Sequence, residues 1–256
     1  MNIVRGRTLL GLVVVGLVPG AAFAADLPSD LGGRYAHYDI VAYDAQMALG
    51  VMRSQVITYG FTDLRDDGDH FTQTETFCHA EHRSNLPFKS RVDDSFTRAI
   101  VPPSAVPTLS LNGGIVRWLR PETPTALGIH LEDPSTEALP TNPKDPRISD
   151  DDHDGHPGVT VNIDLGFMQG QIYLARREIF AYDLSSVAPG RFEGVVHDRS
   201  EQLTLGGYPS FIAADIHPVQ NGDLSKSLII LQRVDSDYTC DRLMAERDQW
   251  FPPDPL

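Results

Sequence analysis

The sequence has few cysteines, few tryptophans and no long apolar run. Of its 256 residues, two are cysteines and two are tryptophans. Two cysteines exclude a disulfide-dense scaffold and a zinc site built on four cysteines. The most apolar stretch, residues 8–18, is shorter than the roughly 20 residues that a transmembrane helix requires. The composition therefore favours a globular protein without membrane-spanning helices.

Basic residues are also scarce. The chain has 21 lysines and arginines against 35 aspartates and glutamates, which gives a formal net charge of −14. This balance repels phosphate backbones and anionic lipid headgroups. We therefore expect neither nucleic acid nor a membrane surface as a partner.

Familiar catalytic motifs are missing as well. The sequence contains no Gly-x-Ser-x-Gly, no phosphate-binding loop and no His-x-x-x-His pattern suited to a helix. Acidic pairs are too numerous to nominate a glycosidase dyad. No catalytic residue is assigned on this basis, and the sequence leans away from an enzyme.

The first residues have the order of a secretory signal. Arg5 and Arg7 precede the apolar stretch, and Ala22-Phe23-Ala24 provides the small residues that signal peptidase recognises. We predict a signal peptide over residues 1–24, cleavage after Ala24 and a periplasmic or secreted protein with no membrane insertion after cleavage. An uncleaved membrane anchor or a buried helix is the alternative.

The two cysteines, Cys78 and Cys240, lie in different halves of the chain. An even number of cysteines in an oxidising compartment indicates a disulfide. We therefore predict a Cys78–Cys240 disulfide, with two unrelated buried thiols as the alternative. Such a bond favours one β domain over residues 25–249 rather than two domains joined by a flexible linker.

Period-two alternation of apolar and polar residues predicts an all-β protein. Val159, Val161, Ile163 and Leu165 alternate with polar residues, so one face of this strand should lie in a core. Other segments are rich in β-forming residues and bounded by turn signals. They cover residues 35–43, 56–61, 71–78, 115–119, 171–175, 192–197, 203–205 and 227–234. We expect an antiparallel barrel or β-sandwich, with one helical turn or a short helix within residues 44–52 as the only helix outside the signal.

Proline interrupts two regions of this pattern. Residues 133–148 contain Pro134, Pro140, Pro143 and Pro146, which indicates an extended connection inserted between strands. Residues 250–256 are also proline-rich and are expected to form a loosely held C-terminal tail.

An aspartate-rich loop carries the most specific chemical signal. Asp150, Asp152 and Asp154 occupy alternate positions, Gly155 follows, and the carbonyl of His156 would come next. Calcium prefers six to eight oxygen ligands, and this spacing resembles the first half of an EF-hand loop. It is similar to the Asp-x-Asp-x-Asp-Gly loops of thrombospondin type 3 repeats and integrin-type propellers, which run into β structure. The resemblance implies calcium as the bound ion.

The second half of the loop departs from the EF-hand pattern. Gly158 and Val161 stand where further oxygen ligands are expected, and the glutamate that binds calcium through both oxygens is missing. Asp164 is the candidate that would complete the site, with Asp145 and Asp133 as other candidates. The alternative is an acidic turn whose aspartates bond to the backbone.

Two short patterns resemble the lipocalin family. Gly33-Arg34-Tyr35 is similar to the Gly-x-Trp opening of lipocalins, and Arg233 stands where lipocalins place an arginine that packs over that aromatic ring. The resemblance implies an up-and-down barrel that binds or carries a small apolar ligand. A structural or adhesive domain stiffened by calcium and a secreted hydrolase remain the alternatives.

The histidines carry less information. His79 and His82 would point to opposite faces of a strand, which does not suit one metal ion. A location at a surface strand end is expected for both.

Overall fold

The computed structural model describes residues 27–47, 50–214 and 216–253. The segment expected to be a signal peptide lies outside these residues. The strands of the first half are β1 (Gly33–Met47), β2 (Gly50–Asp66), β3 (Phe71–Ser84), β4 (Lys89–Arg91), β5 (Thr108–Asn112) and β6 (Ile115–Leu127). Those of the second half are β7 (Val159–Asp164), β8 (Gln169–Ala188), β9 (Arg191–Asp198), β10 (Glu201–Tyr208), β11 (Val219–Gln220) and β12 (Leu228–Arg233). The helices are α1 (Asp94–Ala99) and α2 (Cys240–Trp250).

Antiparallel pairing closes the sheet into a ring. Its order is β8–β7–β4–β3–β2–β1–β12–β9, and β9 pairs again with β8. The all-β prediction is confirmed, and the ring replaces the two separate sheets of a sandwich. It is not a regular barrel, because β8 changes neighbours along its length. Its first part pairs with β7 and β10, and its second part pairs with β6 and β9.

One end of the ring is filled by aromatic side chains. Tyr35, Trp118 and Phe192 meet edge to face with ring centroids 5.2 to 5.9 Å apart. The guanidinium of Arg233 lies 4.9 Å from the centroid of the Tyr35 ring and donates to its hydroxyl at 2.8 Å. The expected packing of Arg233 over Tyr35 is therefore present, where β12 meets β1 and closes the ring.

The outer face of β1 and β2 is covered by α2. Tyr38, Tyr59 and Phe61 are buried there together with Leu243 of the helix. The disulfide joins Cys78 of β3 to Cys240, the first residue of α2, as predicted. No helix among the described residues is both long and apolar enough to cross a membrane.

Three expectations about local structure need correction. The segment expected to hold a helical turn belongs to a hairpin, with β1 ending at Met47 and β2 starting at Gly50. The sequence pattern also missed α2, which begins where the Thr239 side chain accepts from the amide of Arg242. The predicted tail over residues 250–256 therefore starts inside a helix. Phe251 is buried and stacks on Tyr38, because α2 delivers it to the outer face of the sheet.

The proline-rich connection over residues 133–148 is present between β6 and β7. Ile129 and Ile148 form a bridge across its base, and both pack with Leu131 and Ala175. Arg147 ties the connection together through Glu137 and Asp145. The insertion therefore packs against the outer face of β8.

Candidate functional site

A cavity of about 260 Å³ lies inside the ring, next to the filled aromatic end. One wall comes from β7 and the first part of β8, whose inward residues are apolar. They are Val159, Val161, Ile163, Ile172 and Leu174. The prediction that one face of β7 points inward is thus correct, but this face lines the cavity in addition to packing in the core.

The inner face of β8 continues into charged residues. Arg176 and Glu178 follow Ile172 and Leu174 at the same period, so all four side chains point into the ring. Arg176 Nη2 lies 3.6 Å from Glu178 Oε1, and the two side chains are 25% and 19% accessible. That accessible surface faces the cavity, because both side chains line it. Further polar groups surround this pair.

Two of these neighbours come from other strands. Tyr43 of β1 donates its hydroxyl hydrogen to Asp198 Oδ2 at 2.5 Å. The other oxygen of Asp198 accepts from the amide of Ser200 at 2.7 Å. Tyr43 and Asp198 both act electrostatically on Arg176. The cavity therefore has an apolar wall and a compact polar end.

Burial shifts the titration of the groups around the cavity. Burial raises the pKa of Glu178 above its usual range, with the charge of Arg176 acting against the shift. Burial and the charge of Arg176 lower the pKa of His82 to about 4. His82 also contacts the hydroxyl of Ser90 on β4. Titratable groups shifted by burial within a cavity are typical of functional sites.

The histidines of β3 do lie on opposite faces, as predicted. His79 packs outside, where its Nδ1 lies 2.7 Å from an Asp94 carboxylate oxygen. His82 lines the cavity, which corrects the expectation of a surface strand end. The register of β3 against β2 shifts between Tyr59 and Gly60, just before His79, and this shift sets which face of the sheet each histidine occupies.

A second polar layer separates the cavity from the aromatic end. Arg120 and Glu75 form an ion pair with 2.9 Å between nitrogen and oxygen, and each side chain is only 3% accessible. Beside them, His37 Nε2 lies 2.7 Å from an Asp39 carboxylate oxygen. Burial raises the pKa of Asp39, with His37 acting against the shift. This layer is internally paired, as buried charges must be.

The aspartate-rich loop lies outside the ring at the start of β7. One carboxylate oxygen from each of Asp150, Asp152 and Asp154 lies within 4.8 Å of the others. Asp150 accepts from the amides of Asp154 and Gly155 at 3.2 and 3.0 Å, which folds the loop around its own carboxylate. The structure therefore brings together the three aspartates that the sequence spacing selected.

The loop is anchored to the start of the cavity wall. Asp152 Oδ2 accepts from the amide of Thr160 at 2.7 Å, while its Oδ1 is buried and has no hydrogen-bond partner among the described residues. Burial raises the pKa of Asp152, and the charges of Asp154 and Asp150 add to the shift. Gly158 has a φ of +87°, and a Cβ there would lie 2.3 Å from the Leu174 carbonyl oxygen. Only glycine fits this approach of the loop to β8.

The two other predicted ligands are placed differently. The His156 ring stacks on Tyr173 with centroids 4.4 Å apart. Asp164 lies at the opposite end of β7, where its Oδ1 accepts from the Gly166 amide at 2.8 Å. Asp164 therefore lies outside the converging group. Asp145 and Asp133 are engaged elsewhere in the connection, with Arg147 and Thr136.

Sequence reasoning missed Arg176 and Glu178, although the sequence contains the signal. The alternation Ile172, Leu174, Arg176, Glu178, Phe180 places two charges on an otherwise apolar inner face. A strand long enough to include residue 180 would have predicted an internal ion pair. The other wall partners could not be found this way, because they come from strands distant in sequence.

Comparisons of the chain with protein-family models, with curated proteins and with solved structures found no match. The function must therefore be inferred from the side chains of the cavity and of the loop.

Proposed function

We propose that the protein binds and carries a small, mainly apolar molecule inside the ring. The observation that carries this proposal is the cavity of about 260 Å³ with one apolar wall and one polar end. Ligand pockets are typically apolar with a few polar groups that fix orientation. A cavity of roughly 150 Å³ already accepts benzene, so the space here suits a larger molecule.

The shape of the interior favours a carrier over the two alternatives. A purely structural or adhesive domain gains stability by filling its interior, since each void removes packing contacts. Here the aromatic end is filled, while the apolar residues of β7 face an open space. A hydrolase is a less supported alternative. Ser90 and His82 are in contact in the cavity, but no carboxylate hydrogen-bonds to His82 among the described residues, and a pKa lowered to about 4 makes His82 a weak base.

The test is the binding of neutral apolar compounds in solution. N-phenyl-1-naphthylamine fluoresces strongly when it leaves water, so it reports on occupancy, and straight-chain alcohols from hexanol to dodecanol then compete for the site. Inside the cavity, affinity should rise about fourfold per methylene and then fall once the chain no longer fits. A surface patch would give a continuous rise. Absence of any saturable binding would contradict the proposal.

A second proposal concerns calcium at the aspartate-rich loop. The three aspartates offer carboxylate oxygens as ligand atoms, which suits calcium. The buried Asp152 Oδ1 also lacks a hydrogen-bond partner among the described residues. A bound cation would satisfy that oxygen and offset the repulsion between the three aspartates. Asp150, Asp152 and Asp154 would hold it, with the His156 carbonyl and water as further oxygen ligands. The ion would stiffen the start of β7.

Thermal unfolding with calcium, magnesium or chelator at fixed ionic strength tests this second proposal. Calcium should stabilise the protein by about 2.7 kcal/mol at a hundredfold excess over its dissociation constant. Magnesium should do less, because it demands a tighter octahedral geometry. Asp152→Ala should remove the response, whereas the charge-matched Asp69→Ala in the β2–β3 turn should keep it.

Two outcomes would contradict the calcium proposal and indicate a simple acidic turn. One is an equal stabilisation by both metals, and the other is an undiminished stabilisation of Asp152→Ala by calcium. Asp164→Ala decides separately whether that residue contributes to the site.

A further inference from the structure

The guanidinium of Arg176 lies in the cavity with much of its hydrogen-bonding capacity unused. Its Nε is buried and has no partner among the described residues, as is also the case for the Nε of Arg120. Its Nη2 is 3.6 Å from Glu178 Oε1, which is longer than a hydrogen bond. The other deep arginine, Arg120, donates instead to Glu75 at 2.9 Å and to the Phe180 carbonyl at 2.6 Å. Among the described residues, Arg176 therefore has no carboxylate within hydrogen-bonding distance, whereas Arg120 has Glu75.

The remaining neighbours do not fill this role. Asp198 directs one carboxylate oxygen to the Tyr43 hydroxyl and the other to Ser200. Tyr43 donates its hydroxyl hydrogen to Asp198, and its hydroxyl oxygen accepts a hydrogen bond from Arg176, but a hydroxyl is a single neutral acceptor. A guanidinium presents donors in a planar fork that matches a carboxylate. What Arg176 lacks is a planar anionic acceptor.

The surroundings define the rest of such a ligand. The inward residues next to Arg176 on β8 are Leu174 and Ile172, and Val159 and Val161 of β7 lie beside them. These side chains offer no hydrogen bonds and favour an aliphatic or aromatic body. Building on the proposed carrier function, we propose that the ligand is an apolar monocarboxylate, with its carboxylate on Arg176 and its apolar body along β7 and the first part of β8.

A ligand carboxylate on Arg176 would lie next to the carboxyl group of Glu178, and two negative charges there would repel each other. Burial raises the pKa of Glu178, which favours its neutral carboxyl form. A neutral carboxyl can donate its proton in a hydrogen bond to the ligand carboxylate. Arg176 and Glu178 then act as two donors to one anion, and the charge of Arg176 is balanced by the ligand.

The first experiment uses the wild-type protein and three probes of equal chain length. Octanoate, octanol and octylamine compete with N-phenyl-1-naphthylamine at neutral pH. Octanoate should bind at least about tenfold more tightly than octanol, because charge-assisted hydrogen bonds are the stronger ones. Equal affinities, or a preference for octanol, would overturn the carboxylate proposal while the carrier function stands. Tightest binding of octylamine would assign the head group to Glu178 and would also overturn it. No binding of any probe would instead remove the carrier function.

The second experiment tests the residue. Arg176→Met should weaken octanoate by about tenfold or more and change octanol by less than about threefold, since only the charged contact is lost. Arg117→Met is the matched control, because Arg117 forms its ion pair with Asp183 on the outside of the sheet. Glu178→Gln keeps a donor and should retain octanoate binding. Circular dichroism verifies the fold of each variant. An unchanged octanoate affinity in a folded Arg176→Met protein would refute the assignment, and the wild-type series decides the ligand class if that variant does not fold.

Discussion

His82 is held in its neutral form by the cavity wall. Its ring contacts the Ser90 hydroxyl, and burial together with Arg176 lowers its pKa from 6.5 to about 4. The unfolded chain therefore binds a proton between about pH 6.5 and 4 that the folded chain does not take up. A depressed folded pKa contributes stability above the unfolded value, and this stability is lost as the pH falls through that window.

We expect wild type to lose about 3 kcal/mol more free energy of unfolding than His82→Gln between pH 7 and 4, which follows from the size of the shift. Urea unfolding at the two pH values measures this difference. The raised pKa values of Asp39 and Glu178 act in the opposite direction, but they are present in both proteins and cancel. Equal losses in the two proteins would show that His82 titrates normally.

Local sequence rules predicted individual residues unevenly. Asp150, Asp152 and Asp154 converge as their spacing indicated, because the geometry of a short loop depends on adjacent residues. Arg233 meets Tyr35 as the family resemblance implied. Arg176 was missed because the predicted strand ended at residue 175, and its neighbours Tyr43 and Asp198 lie on strands distant in sequence.

At the scale of elements, α2 was the largest omission. Five of its eleven residues are charged and only Leu243 is fully buried, so the helix shows little apolar periodicity. Tertiary contacts stabilise this helix, namely the Cys78–Cys240 disulfide and the packing of Phe251 on Tyr38. The strands, in contrast, were predictable because alternation is encoded locally. Their ends were not, and β8 extends well beyond the predicted residues 171–175.

The disulfide should contribute much of the stability of this helix-covered face. It closes a loop with a sequence separation of 162 residues. On the chain-entropy model, Cys78→Ala/Cys240→Ala should lower the free energy of unfolding by roughly 5 kcal/mol. Urea unfolding gives the total loss, and hydrogen exchange should show that α2 amides lose protection before those of β1. A double variant as stable as wild type, with α2 equally protected, would contradict this role.

At the scale of the whole molecule, the interior changes character along the ring. The aromatic end around Trp118 is filled, a paired layer with Arg120 and Glu75 follows, and the cavity occupies the remaining part. Sequence alone predicted the all-β class but not this division. Which inward residues meet a partner and which face a space depends on the change of neighbours along β8, and no local pattern encodes that change.

The cavity beside β7 leaves part of the interior unfilled. Val161 faces the cavity from the middle of β7, so Val161→Phe should occupy part of the space. If the cavity exists for a ligand, filling it should weaken octanol and N-phenyl-1-naphthylamine at least about tenfold. The free energy of unfolding should stay within about 1 kcal/mol of wild type or rise, because filling a natural void commonly stabilises a protein at the expense of function.

Val187→Phe is the matched control for this substitution, since Val187 is 56% exposed near the end of β8 and contributes nothing to the cavity wall. It should leave both binding and stability unchanged. Calorimetric titration and urea unfolding of the two variants separate the possible outcomes. Unchanged binding in a folded Val161→Phe protein would place the ligand elsewhere. A loss of binding accompanied by a loss of several kcal/mol would show that the wall is too tightly packed to be a natural pocket.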